Sequence, residues 1–147
     1  MSEANSRYTI DRKLTLPNDI ETIPQLNEFI DAVAEEAGLD MAFTMSLNLA
    51  IEEAVVNVME YAYPEGTQGF VDIRLMVGDG ELCCILSDSG TPFDPTLTPD
   101  ADTTLSAEER SIGGLGIHLV RQIMDHISYE YKDQHNILTL TKHLATI

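Results

Sequence analysis

One stretch constrains the fold more than any other: LNLAIEEAVVNVMEYAY, residues 47–63. Its apolar residues Leu47, Ile51, Ala54, Val55, Val58 and Ala62 recur at i, i+4, i+7, i+8, i+11 and i+15. That period lays them along one face of a helix, so the helix must pack on a core. Glu53 and Asn57 stand four residues apart at the edge of this face and point the same way. A carboxylate and a carboxamide at the margin of a buried stripe can reach a ligand. They can equally be a solvated pair on a long helix, and the helix alone does not separate the two.

The flanks supply the rest of a domain. Residues 8–16 read as a strand, with Tyr8, Ile10, Leu14 and Leu16 in imperfect alternation. A helix follows, with Ile23, Leu26, Phe29, Ile30, Val33 and Ala37 on its core face. Thr22 with Gln25 has the pattern of a capping box, Pro24 suits the first turn, and Gly38 suits the stop. Asp40 reads as the N-cap of the long helix.

Beyond the turn-like PEGTQG, residues 70–77 alternate as a strand and Gly78-Asp79-Gly80 reverses the chain. Residues 82–87 return as a nearly continuous apolar strand, expected to be central. Its adjacent Cys83 and Cys84 point to opposite faces and are expected to stay reduced.

A long polar segment, about residues 91–113, reads as a lid or binding loop. Gly113-Gly114-Leu115-Gly116 then opens a helix with core face Ile117, Val120, Ile123, Met124 and Ile127. Two strands, near 128–132 and 136–142, finish the chain. The expected fold is a single α+β domain over residues 1–147. It is a two-layer α/β sandwich, with one mixed, mostly antiparallel sheet and helices on one face.

Charge narrows the partners. Against 25 acidic residues stand 8 basic ones, a net charge of −17. That argues against direct nucleic-acid binding, which needs a basic surface, and for a partner with a basic face. ATP, itself an anion, would need Mg²⁺ and backbone donors to overcome this field. No run approaches the ~20 apolar residues of a membrane span, and no apolar core follows the charges of the opening MSEANSRYTIDRK. A cytoplasmic location is therefore expected. His118, His126, His135 and His143 have no evident co-ligands in sequence, so no zinc site is expected.

The glycines carry the first chemical signal. GGLG at the start of a helix offers backbone N–H groups and the positive end of the helix dipole to an anion. There is no Gly-Lys-Ser/Thr of a P-loop, and Leu119 stands where a dinucleotide fold has its last glycine. Asp88, at the end of a buried strand and followed by Gly90, can accept from an exocyclic amine while the glycine lets a flat base approach. The same Asp-x-Gly is also a common turn.

In order, the chain carries Glu53-x-x-x-Asn57, Asp88-x-Gly90, a long lid and Gly114-x-Gly116. This order resembles the N, G1 and G2 boxes of the GHKL (Bergerat-fold) ATPases. More narrowly, EEAVVNVMEYAYPEG, DSGTPFDP and ERSIGGLGIHLVRQIMD are similar to the anti-sigma-factor serine-protein kinases of the RsbW type. The likeness covers roughly residues 8–143.

The resemblance implies ATP and Mg²⁺ as ligands, with Asn57 holding the metal and Glu53 orienting or deprotonating the attacking hydroxyl. Asp88 and Gly90 would take the adenine. Gly114, Leu115 and Gly116 would wrap the phosphates, and Arg110 would add charge at the γ-phosphate or at a partner. It also implies a sigma factor and an anti-sigma antagonist as partners, and a homodimer.

Two positions depart from the family. Tyr61 stands where a histidine often follows the Asn, and Pro92 where many members have a second glycine. Two other functions stay open: a nucleotide-gated partner-binding regulator without significant kinase activity, and a histidine-kinase catalytic domain. The second is weakened by the ~20 residues before the first helix, too few for a phosphoacceptor hairpin.

Overall fold

The computed structural model describes residues 8–97 and 112–144. The elements run β1 (Ile10–Pro17), α1 (Ile23–Ala37), α2 (Met41–Tyr61), β2 (Phe70–Gly78), β3 (Glu81–Asp88), α3 (Ile112–Ile123), β4 (His126–Lys132) and β5 (His135–His143). The strands form one open sheet in the order β1-β2-β3-β5-β4. The α+β two-layer arrangement is as expected, and the sheet, read as mostly antiparallel, is antiparallel at every pairing. β3 holds the centre, which its continuous apolar run requires.

Alternation along the strands makes one sheet face the core. Val71, Ile73, Leu75 and Val77 of β2, Leu82, Cys84 and Leu86 of β3, and Leu138 and Leu140 of β5 are buried on it. Against them pack Leu26, Ile30 and Val33 of α1, the Leu47–Ile51–Val55 stripe of α2, and Ile117 and Val120 of α3. Cys83 points away from this cluster while Cys84 lies inside it, and no disulfide joins them. Burial pushes the Cys84 thiol far up, so it stays a protonated packing group.

The local signals mostly act as their chemistry dictates. The Asp40 carboxylate accepts from the Phe43 N–H at 2.7 Å and caps α2. Gly38 ends α1 at φ 72°, donating its N–H back to the Ala34 and Glu35 carbonyls. Asp79 and Gly80, with φ of 55° and 74°, make the tight turn between β2 and β3.

Two local expectations fail. The Thr22–Gln25 capping box does not form, because a 3-10 turn, Ile20–Thr22, already precedes α1 and places Thr22 in helical geometry. Asp19 caps that turn instead, and the Thr22 hydroxyl donates to the Asp19 carbonyl. Ile127 does not extend the third helix. α3 stops at Ile123, and Asp125 turns the chain into the sheet, donating its N–H to the Thr141 carbonyl. Ile127 reaches the core from β4.

Candidate functional site

Among the described residues, only three polar side chains are buried: Asn57, Asp88 and Asn136. Asp88 and Asn136 pair where β3 ends and β5 begins, and Asn57 lies on the C-terminal half of α2, whose Ala62 end meets Gly90 and Thr91 just beyond Asp88. Buried polar groups in an otherwise apolar core mark where a polar ligand can be held.

Asp88 lies on the core-facing register of β3, directly opposite Asn136 of β5. Its Oδ1 accepts from the Gly90 N–H at 2.8 Å and from Asn136 Nδ2 at 2.9 Å. Its Oδ2 has no partner among the described residues. Burial pushes the Asp88 carboxyl up, while the Asn136 amide and the Gly90 N–H pull it partly back.

Gly90 is required by packing. A Cβ there would stand 2.3 Å from the Ala62 carbonyl oxygen, so any other residue would force the end of β3 off the end of α2. The next residue completes this stitch. Thr91 donates both its N–H, at 2.7 Å, and its hydroxyl, at 3.0 Å, to the same Ala62 oxygen.

On α2, Asn57 is 2% exposed and donates Nδ2 to the Glu53 backbone carbonyl at 2.9 Å. Its Oδ1 has no hydrogen-bond partner among the described residues and is open in that sense. An open carboxamide oxygen is a hard donor of the kind Mg²⁺ takes. Glu53 is half-buried and makes no side-chain hydrogen bond among the described residues. Burial raises its carboxyl pKa, and the neighbouring Glu52 and Glu60 raise it further.

Gly114, Leu115 and Gly116 lie inside α3, whose backbone is helical from Ile112. Gly113 was expected to open the helix, and the helix begins one residue earlier. Gly114 therefore falls in the first turn, whose N–H groups have no intrahelical acceptor, while the regular ladder commits the Gly116 N–H. α3 packs alongside α2, the helix that carries Asn57. Arg110 and most of the expected lid lie outside the described residues. A cavity of about 900 Å³ lined by Asp19, Met59, Glu60, Tyr63 and Phe70 contains none of the site residues expected from sequence.

Sequence reasoning missed Asn136, the hub of the corner. Its Nδ2 donates to Asp88 and to the Thr91 carbonyl, both at 2.9 Å, and its Oδ1 accepts from the Phe93 N–H and the Tyr129 hydroxyl. A signal was present: with Leu138 and Leu140 it occupies the core-facing positions of a period-two strand, where a polar residue is out of place. Tyr63 was missed as well. Its hydroxyl accepts from the Ser89 N–H at 3.1 Å and donates to the Phe70 carbonyl at 2.7 Å, holding the turn after Asp88.

With this geometry in place, comparison with known proteins is informative. The family model of the histidine kinase-like ATPase domain matches residues 16–142. The chain is 31% identical over 100 residues to the serine/threonine-protein kinase BtrW of Bordetella bronchiseptica, covering 68% of this chain and 70% of that one. It is 27% identical over 135 residues to the serine-protein kinase RsbW of Listeria monocytogenes, covering 89% and 85%. A crystal structure of the RsbU and RsbW domains of Rv1364c from Mycobacterium tuberculosis shares the fold, with a TM-score of 0.67 at 17% identity. That match covers 95% of this chain, which spans about a third of the solved one (34%).

Proposed function

Since the chain belongs to the histidine kinase-like ATPase domain family, we propose that it is an Mg-ATP-dependent protein serine kinase that also acts as an anti-sigma factor. The observation that carries this reading is that, among the described residues, the buried polar side chains are Asn57, Asp88 and Asn136. Asp88 Oδ2 accepts from the adenine amino group, and Oδ1, already doubly bonded, sets its direction. Asn57 Oδ1 is the protein ligand for Mg²⁺, which supplies charge neutralisation at the phosphates. Gly114, in the first turn at the α3 N-terminus, receives the phosphates, Leu115 and Gly116 continue the helix behind it, and Arg110 adds charge.

Glu53 is the general base. Its raised pKa makes it a better proton acceptor than a solvated carboxylate, and it carries no competing hydrogen bond among the described residues. The serine hydroxyl gives its proton to Glu53 as its oxygen takes the γ-phosphoryl group, and ADP leaves. The relatives named as serine kinases support a serine-bearing protein substrate. By the same likeness we assign a sigma factor as the sequestered partner, an anti-sigma antagonist as the substrate, a homodimer as the working form and the cytoplasm as its place.

The test is incubation with Mg²⁺, γ-labelled ATP and a candidate antagonist protein. Label appearing on an antagonist serine is the expected result. ATP binding with no transfer to any serine would leave a nucleotide-gated binding protein and remove the kinase.

A further inference from the structure

α2 is amphipathic twice. Opposite its buried stripe it exposes Met41, Met45 and Leu49, at 79%, 63% and 50% of full accessibility. Spaced at i, i+4 and i+8, they form one ridge along the first half of the helix. Glu53 follows one turn further on. Isolated exposed apolar residues need no explanation, but three in register on one helix do.

The surroundings say what fits there. Between Lys13 and Arg74 the chain has twelve Asp and Glu residues and no Lys, Arg or His. Both α1 and α2 fall within this interval, so neither helix carries a basic side chain of its own; Lys142 of β5, beside Phe43, Ser46 and Leu47, is a cation near this half of α2. Arg12 of β1 reaches Glu36 of α1 at 2.5 Å, a contact at the far edge of the layer. On the α1 side Asn48 bridges to Asp31 at 2.9 Å, which fixes that flank of the ridge.

We infer that the Met41–Met45–Leu49 ridge docks a basic amphipathic helix of a partner protein. Apolar side chains on that helix cover the ridge, and Lys or Arg on its margins face the α1 and α2 carboxylates. A second copy of this chain would bring the same acidic layer against itself, and an anionic lipid surface would be repelled for the same reason. The ridge also uses flexible methionines, which adapt to irregular partners. This surface requires neither nucleotide nor phosphotransfer, so it stands apart from the kinase reading.

The test uses the full chain and a labelled peptide of Leu and Lys at helical spacing, about 18 residues or five turns long. A control peptide has the same composition in scrambled order. Methyl NMR should show shifts at Met41 and Met45 on adding the amphipathic peptide. The double variant Met45→Gln/Leu49→Gln, exposed and helix-compatible, should keep its circular dichroism and bind at least about tenfold more weakly. Equal binding of the scrambled peptide, or no loss in the double variant, would overturn the proposal. So would a wild-type dimer in sedimentation that the double variant converts to monomer, which would give the ridge to a second copy.

Discussion

At the Asp88 corner, almost every polar atom is committed before any ligand arrives. Asp88 Oδ1 takes two hydrogen bonds, Asn136 makes four, and Tyr63 pins the following turn. At the Glu53–Asn57 edge, a single bond from Asn57 to its own helix is all the described residues provide. On the proposed reading, the first region, with its acceptor fixed in advance, recognises a rigid, flat group at little ordering cost. The second keeps Asn57 Oδ1 and both Glu53 carboxylate oxygens out of hydrogen bonds with the described residues, as holding a metal and taking a proton would require. On that reading recognition is pre-assembled, and chemistry is kept unoccupied by the protein's own bonds.

That contrast can be broken by variants. The largest effect belongs to the chemical edge: Glu53→Gln should cut phosphotransfer about 10²–10⁴-fold while leaving the ATP-induced rise in melting temperature intact. Loss of that rise too would mean the two regions are not separable. At the recognition corner, Asn136→Ala strands the Thr91 carbonyl and the Phe93 N–H and removes a donor from Asp88. Urea unfolding should show a loss of about 3 kcal/mol. A loss under ~1 kcal/mol would mean the hub is not structural.

Asp88→Asn should abolish the stabilisation that Mg-ATP gives, about 2.7 kcal/mol at a hundred times the dissociation constant. Thermal unfolding without ligand should show it no less stable than the wild type, because the variant removes a buried charge. Gly90→Ala should cost about 2 kcal/mol, since the added methyl meets backbone rather than a movable side chain.

The smallest effect is on pH dependence. The folded state holds the Asp88 proton to higher pH than the unfolded chain does. The penalty of burying its charge is therefore absent below the ordinary value of 3.8, and it enters as pH rises through the raised one. Unfolding curves over that interval should show the wild type losing stability relative to Asp88→Asn. Parallel curves would mean that the buried carboxylate is fully compensated.

Much of this was legible because it is local. The α2 period, the Asp40 cap, the Gly38 stop and the Asp79-Gly80 turn each depend on residues within a few positions of one another. Glu53 and Asn57 could be picked out because they stand four residues apart at the edge of an apolar stripe, and Asp88 because it ends an apolar run. Asn136 breaks one as well, but its meaning depends on facing Asp88, 48 residues earlier, a register that strand alternation does not reveal. The role of Gly90 was hidden for the same reason: what excludes a side chain there is a carbonyl on another element. Thr22 misled because a capping pattern is indifferent to whether a 3-10 turn comes first.

The Thr91–Ala62 stitch has one more consequence. Ala62 lies nine positions after Glu53 along α2, about 14 Å along the axis. One end of that span is bolted to the strand that carries Asp88, and the other bears Glu53. The molecule thereby contains a ruler. Its length is set by helix pitch rather than by whatever lies along it, so on the proposed reading a nucleotide would be measured from its base to its reacting end before any of it reacts.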